Sequence, residues 1–166
     1  RERLVRNRAS LMTAVKEMQL AYELAKNDPI IATQLNLIRV LTRQIEKLDM
    51  EIQKIIHEEQ KIHQNYQLLQ SITGVGKVLS LAAIVKTNNF TRFANGRKFG
   101  CFCGTAPFEN SSGTSIRGKT RISHLADKRM KTLLDLAAKS AIQYDKELRD
   151  YYQRRIAIGK SKMSTI

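Results

Sequence analysis

The chain has 166 residues, enough for one or two small domains, and 29 Lys and Arg against 15 Asp and Glu give it a net charge of +14. Its longest apolar run, residues 78–85, is too short to cross a membrane, and no secretory signal is visible. The two cysteines form a lone Cys-x-Cys, too few ligands for a disulfide or zinc framework, so a reducing compartment is favoured. Because the chain begins at Arg1 and ends at Ile166 without an obvious cap, we expect it to be part of a longer protein.

The positive charge lies almost entirely in the second half. Residues 1–70 carry 11 basic and 9 acidic side chains, whereas residues 71–166 carry 18 basic and 6 acidic ones. Such an asymmetry indicates a polyanionic partner for the second half, and nucleic acid is the leading candidate because neutralising phosphates releases counterions. The alternative is a basic surface with no particular partner.

The first half predicts two helices, over about residues 2–26 and 30–70, interrupted at Asn27-Asp28-Pro29. Two series recur every seven residues in the second helix: Ile38, Ile45, Ile52, Glu59 and Tyr66, and Leu41, Leu48, Ile55, Ile62 and Leu69. A seven-residue repeat predicts a coiled-coil seam. The second helix would be ~60 Å long and the first ~37 Å, so a second subunit is expected to cover the remainder. The alternative is an ordinary helical bundle within one chain.

A glycine-containing turn follows, Ser71 to Gly76, before the next apolar run. Alternating apolar and glycine residues between two helices are typical of a helix-hairpin-helix element, in which Gly74 and Gly76 allow backbone amides to approach a phosphate and Lys77 adds charge. The alternative is a plain interhelical turn. A short helix then carries Phe93, Phe99 and Phe102, which we interpret as core rather than as a base-stacking platform. Arg97 and Lys98 flank these rings and are candidates to face DNA.

Residues 104–115 are rich in Gly, Pro and Ser and predict an irregular loop. Six basic residues follow it, the last three on a helix that we expect to begin near Ser123: Arg117, Lys119, Arg121, Lys128, Arg129 and Lys131. A serine that attacks a phosphodiester needs such cations to stabilise the developing charge. Ser111 and Ser112 could equally make only turn hydrogen bonds, because no general base adjoins them and His124 is better placed as a surface residue.

The acidic residues of the second half are few. Residues 71–166 hold six of them, and they do not gather around a turn or strand as a two-metal nuclease site requires. His57 and His63 are six residues apart, a poor ligand spacing on one helix face. We therefore predict no catalytic metal in this chain.

Several short motifs, taken together, resemble one family. They are Ile72-Thr73-Gly74-Val75-Gly76, Arg92-Phe93, Gly104-Thr105-Ala106-Pro107, Ser112-Gly113 and Arg121-Ile122-Ser123. Over about residues 68–162 the chain is similar to the C-terminal domain of insertion sequence one-ten transposases, a group that includes the Piv-type DNA invertases. The coiled coil resembles the linker of that family.

This resemblance implies a bacterial, cytoplasmic and nucleoid-associated recombinase that acts on DNA as a dimer or tetramer, with a guide RNA as a further partner. It also implies a preceding RuvC-like domain whose acidic residues would bind Mg²⁺, and it identifies Ser112 as the nucleophile. The family usually has Gly-Asn before its basic helix, where this chain has Ala126-Asp127. The departure concerns the geometry of the helix start rather than the serine.

The expected fold is all-α: a long antiparallel or dimeric coiled coil over residues 1–70, then a compact helical DNA-binding domain over residues 71–166 built on the helix-hairpin-helix. The function that this pattern favours is a transposase whose second half binds DNA phosphates and supplies Ser112 to strand exchange. By itself, the chain should bind nucleic acid without cutting it. The alternatives are a non-catalytic coiled-coil module that binds nucleic acid and a repair or RNA-associated helix-hairpin-helix protein.

Overall fold

A computed structural model describes the backbone of residues 1–112 and 116–166, and the side chains of residues 1–107 and 122–166. The predicted roles of the side chains of Ser112, Arg117, Lys119 and Arg121 therefore lie outside the described residues. The framework is all-α, as expected, with eight helices in the described ranges. The chain divides between Glu59 and Gln60 into two compact units. The roles assigned to residues 1–70 and 71–166 stay predictions.

The first unit is a pair of antiparallel helices, α1 (Glu2–Tyr22) and α2 (Pro29–Glu58). Helix α1 ends four residues before its expected end because Glu23 adopts a left-handed backbone conformation. Asp28 caps α2 by accepting a hydrogen bond of 2.9 Å from the Ile30 amide, and proline holds the first helical position. Arg1 pairs with Asp49 and Arg8 with Thr42, which establishes the antiparallel direction.

The two heptad series of α2 differ in exposure, although Ile38, Leu41 and Ile52 are all half-buried. Ile45, in the first series, is 5% exposed, whereas Leu48 and Ile55, in the second, are 37% and 56% exposed. The long helix expected over residues 30–70 is interrupted, because Glu59 is extended and α3 begins at Gln60. The break falls at the polar residue of the first series, where no apolar side chain would be lost from the seam.

The second unit contains the remaining helices: α3 (Gln60–Ser71), α4 (Lys77–Thr87), α5 (Gly96–Cys103), α6 (Lys128–Tyr144), α7 (Lys146–Ala157) and α8 (Lys162–Thr165). Its core is formed by Leu79 and Ala83 of α4, Cys103 of α5 and Met130 of α6. Phe99 and Phe102 pack against this core, which agrees with their interpretation as core residues. In the described part of the chain, no helix is both long and apolar enough to cross a membrane.

The segment expected to be an irregular loop contains strand β1 (Phe108–Ser112), which pairs antiparallel with β2 (Ile116–Arg121). That expectation was wrong for these residues. Polar residues dominate both strands, so neither shows the alternation that identifies a half-buried strand, and main-chain pairing forms the ribbon instead. Helix α6 also begins later than expected, at Lys128 rather than near Ser123, because Asp127 is its N-cap.

Candidate functional site

The turn between α3 and α4 is closed by main-chain hydrogen bonds. The Ile72 amide donates to the Leu69 carbonyl at 3.2 Å, and the Val75 amide donates to the Ile72 carbonyl at 3.0 Å. Gly74 has a φ of +88°, which favours glycine over any residue with a side chain. The turn thus adopts the compact form that the glycine pattern predicts. Its identity as a DNA-binding helix-hairpin-helix stays a prediction.

Gly74 faces the backbone of α6. A Cβ atom at this position would lie 2.3 Å from the Ala137 carbonyl oxygen and 3.0 Å from the Ala141 amide nitrogen. The first distance is shorter than real Cβ contacts and the second is tighter than most of them, and main-chain atoms within a helix have little freedom to move. Gly74 is therefore required by helix packing, a role that the sequence interpretation did not assign. Its predicted contact with DNA stays a prediction.

Gly76 is in a different environment. It is extended, with a φ of −94°, and a Cβ atom there would meet none of the described atoms within 4 Å. It is the N-cap of α4, yet no described side chain caps the helix. The first main-chain hydrogen bond of α4 runs from the Ser80 amide to the Gly76 carbonyl at 3.0 Å. The amides of residues 77–79 therefore have no partner within the helix.

These amides, together with the positive end of the helix dipole, favour an anion. The adjoining surface is an open depression of roughly 480 Å³, lined by residues 70–76 and by Ser140 of α6. Lys77 is exposed in the first turn of α4. The start of α4 accordingly combines uncapped amides with an exposed lysine beside an open depression.

The start of α6 is built differently. Asp127 accepts hydrogen bonds from the Arg129 amide at 3.1 Å and the Met130 amide at 3.0 Å. The same carboxylate forms an ion pair with Lys86 of α4 at 2.8 Å. The bond with Lys86, followed by the bond from Met130, lowers the pKa of Asp127 below its usual range. Here a carboxylate of the chain already occupies the anion position.

Asp127 also explains the departure from the family pattern noted at Ala126-Asp127. Asn and Asp are comparable N-cap residues, so the replacement preserves the cap of α6. The Asp127 amide additionally donates to the Phe102 carbonyl at 2.8 Å, which ties the start of α6 to α5. The helix start is firmly fixed despite the substitution.

The two ends of the hairpin meet beside the start of α6. A Cβ atom on Gly104 would lie 2.8 Å from the Ala126 Cβ atom and 3.0 Å from the Ile122 Cγ2 atom, and Gly104 has a φ of +70°. The backbone register pairs Phe108 with Arg121 near this junction and Ser112 with Ile116 at the far end. Ser112 is therefore carried on the distal part of a two-stranded ribbon.

The predicted cations whose side chains the structure describes do not form a single cluster. Lys128 and Lys131 are exposed at the start of α6 and Arg129 is half-buried there, whereas Gly74 and the turn contact α6 at Ala137 and Ala141. About ten residues along a helix correspond to roughly 15 Å, which separates the turn from the start of α6. Arg97 and Lys98 are exposed in the first turn of α5, where Asn95 caps the helix through the Lys98 amide.

Several cations of the second unit have partners within it. Lys86 pairs with Asp127, and Lys139 pairs with Asp135 at 2.7 Å. Arg149 donates to the carbonyls of Ile142 and Gln143 at the end of α6. The spacing of four residues signals the Lys139 pair in the sequence. The Lys86 pair joins residues far apart in sequence, and no local pattern predicts it.

Metal ligands do not converge in the part of the chain that the structure describes: no group of three or more His, Cys, Asp or Glu side chains is arranged to hold an ion. Cys103 is fully buried, and burial raises the pKa of its thiol to about 11, with the nearby Asp127 carboxylate adding to the shift. Such a thiol stays protonated at neutral pH and is a poor metal ligand.

The chain is similar to known proteins of insertion elements. The model of the transposase IS116/IS110/IS902 family matches residues 66–153. A curated protein of Streptomyces coelicolor, described as an insertion element IS110 uncharacterized 43.6 kDa protein, is 31% identical over 94 residues. The match covers 57% of this chain and 23% of that protein, so the chain spans about a quarter of the length of this relative.

Proposed function

Because the chain belongs to the transposase IS116/IS110/IS902 family, we propose that its second unit binds DNA phosphates during transposition and supplies a serine nucleophile to strand exchange. The observation that carries the proposal is the start of α4, which presents uncapped amides beside an open Gly76 and an exposed Lys77. Contacts of this type bind the DNA backbone without reading its sequence. The exposed cations at the starts of α5 and α6 would give the DNA further contacts, separate from the start of α4.

Binding through phosphates has a measurable salt dependence. Each phosphate neutralised contributes about −0.9 to the slope of log K against log salt concentration. Lys77→Gln should weaken binding to duplexes of any sequence and reduce that slope by about one. Lys139→Gln is the matched control, since Lys139 is already paired with Asp135. Equal affinities for wild type and Lys77→Gln would show that the start of α4 does not contact DNA.

The proposed nucleophile is Ser112. Its oxygen would form a bond to the phosphorus of a DNA phosphodiester while the bond to the leaving sugar oxygen breaks, and the proton of the serine would be transferred to that leaving group. Support comes from the family match over residues 66–153, which includes Ser112, and from the ribbon, in which Ser112 pairs at the end away from its junction with α6. Mg²⁺ would be held by acidic residues of a preceding RuvC-like domain outside this chain.

A matched pair of serines tests this role in the full-length protein that contains the chain. Ser112→Ala should abolish strand exchange and the covalent protein–DNA adduct while leaving DNA affinity unchanged. Ser111→Ala, one residue earlier on β1, should retain both. Normal strand exchange by Ser112→Ala would favour the alternative of a non-catalytic module that only binds nucleic acid.

The first unit is proposed to assemble the protein as a dimer or tetramer. The support is the uneven covering of its two heptad series, which leaves Leu48 and Ile55 exposed beside the buried Ile45. A second copy of α2 would cover the exposed series and complete a coiled coil. Sedimentation equilibrium of the chain should give at least twice the monomer mass. The double variant Leu48→Glu, Ile55→Glu should instead have the mass of a monomer.

A guide RNA and a site of action at the bacterial nucleoid complete the proposal. They follow from the family resemblance, and the basic second unit is compatible with either nucleic acid. Co-purification of the full-length protein with a defined RNA is the direct test of the guide.

A further inference from the structure

The segment between α4 and α5 contains an uncommon backbone. Asn88, Asn89 and Phe90 have φ values of +49°, +52° and +66°, so three successive residues adopt the left-handed conformation. Asparagine tolerates this region, but a phenylalanine there is a genuine outlier. A strained residue persists only where its surroundings enforce the conformation, and such residues concentrate at functional positions.

The surroundings of this turn do enforce it. The Phe90 amide donates to the Thr87 hydroxyl at 2.9 Å, and the Arg92 amide donates to the Thr87 carbonyl at 2.9 Å. The Asn89 side chain accepts a hydrogen bond of 2.8 Å from the Asn65 side chain of α3. Thr87 is itself buried. The turn is thus anchored on both sides of Phe90.

The result of this anchoring is an aromatic side chain held at the surface. Phe90 is 47% exposed, in contrast to Phe93, Phe99 and Phe102, whose rings pack together with centroids 5.1 to 6.5 Å apart. A glycine or asparagine at position 90 would meet the requirement of the backbone with less strain. The fold therefore keeps Phe90 in an unfavourable backbone conformation although about half of this residue is exposed to solvent.

The charges around Phe90 favour a base over a phosphate. The turn lies at the carboxyl end of α4, where the helix dipole is negative and disfavours an anion. The two cations that flank the turn are already engaged: Lys86 pairs with Asp127 at the start of α6, and Arg92 donates to the Lys86 carbonyl at 3.2 Å and lies over the Phe93 and Phe102 rings. Proteins stack the unpaired bases of a single strand on exposed aromatic rings, while basic groups elsewhere on the same domain hold the phosphates.

We propose that Phe90 stacks on an unpaired nucleobase of the nucleic acid bound by the second unit. The proposal rests on the proposed function and adds a specific ligand to it: a base outside a duplex, from either DNA or RNA. The start of α4 would hold phosphates, while the far end of the same helix, 11 residues long, would contact a base. The unit would then prefer substrates with an unpaired segment next to a duplex.

The experiment distinguishes the role of the Phe90 ring in binding from the effect of its backbone conformation on stability. Phe90→Asn removes the ring and suits the left-handed conformation, so it should raise the melting temperature of the full chain by a few degrees, roughly, while lowering its affinity for single strands about tenfold. Phe90→Tyr retains the ring and should bind like wild type. Probes are a single-stranded DNA, the RNA of the same sequence and the matching DNA duplex, all measured by fluorescence anisotropy.

The outcomes are distinguishable. A loss confined to the single strands supports the proposal, and comparison of the DNA and RNA probes identifies the strand type. Unchanged single-strand affinity, or a lowered melting temperature, would overturn it, the latter because the ring would then be a packing residue. Tyr144→Ala removes a 75% exposed ring at the other end of α6 and should bind like wild type. Failure of wild type to bind any probe would instead reject the proposed function.

Discussion

Two helices of the second unit begin in opposite ways. Helix α4 begins at Gly76, with an open position and no cap from the described side chains, whereas α6 begins at Asp127, whose carboxylate accepts bonds from two amides and pairs with Lys86. Both helix starts carry exposed lysines. Only at α4 are the amides themselves left for an external anion, so basic residues alone do not identify a phosphate site. At α6 the cations would act through their side chains only.

The largest expected effect comes from the turn that places the start of α4. Gly74→Ala should lower the free energy of unfolding by about 3 kcal/mol, because the new methyl group would meet the Ala137 carbonyl and an L-residue is strained at this φ. Gly76→Ala is the matched control, with open space around it, and should change stability by less than about 0.5 kcal/mol. Urea titration of both variants is the measurement; equal losses would contradict the different packing of the two glycines.

The cap of α6 provides the next effect. Asp127→Ala removes both the cap and the partner of Lys86 and should cost about 2 kcal/mol, most of it from the cap, since Lys86 is partly exposed. Asp127→Asn keeps an oxygen for the two amides and should cost less than about 1 kcal/mol. If the two variants were equally unstable, the ion pair rather than the cap would fix the start of α6.

Acid should weaken the same contact. The pKa of Asp127 is lower in the folded protein than in the unfolded chain, where an Asp carboxyl titrates near 3.9. Its contribution is therefore complete above about pH 5 and is lost as the pH falls through the lowered folded value. The difference in stability between wild type and Asp127→Asn should shrink by roughly 1 kcal/mol or less between pH 6 and pH 2.5. A constant difference would mean that the charge of Asp127 does not contribute.

The smallest change in stability should come from making α4 resemble α6. Gly76→Asp supplies a capping carboxylate and should raise stability by only a few tenths of a kcal/mol, about 0.3. It should nevertheless weaken duplex binding several-fold, because the carboxylate would occupy the amides and repel a phosphate. Parallel thermal melts and anisotropy titrations measure both quantities. Stronger or unchanged binding would show that the uncapped amides do not contact the backbone of DNA.

The sequence predicted the features that depend on local patterns. The Asp28-Pro29 helix start and the tight turn at Gly74 each follow from backbone preferences within a few residues. The function of the second unit was suggested by short motifs that matter only in combination, and the family match over residues 66–153 confirms the resemblance.

The features that the sequence did not predict depend on distant or unusual contacts. The ribbon of β1 and β2 lacks apolar alternation, and its first strand lies within residues 104–115, which the sequence predicts as an irregular loop. Lys86 and Asp127 meet only because α4 and α6 pack together. Gly74 has its packing role for the same reason. The left-handed Phe90 gives no signal, because phenylalanine is among the residues least expected in that conformation.

Buried Cys103 gives this protein an intrinsic chemical reporter. With a pKa of about 11, only about one thiol in a thousand is ionised at pH 8, and the side chain is closed to solvent. Alkylating reagents should therefore modify half-buried Cys101 first and reach Cys103 only when the junction between α5 and α6 opens. The ratio of the two labelling rates would follow that opening in an unmodified chain, with or without a bound oligonucleotide.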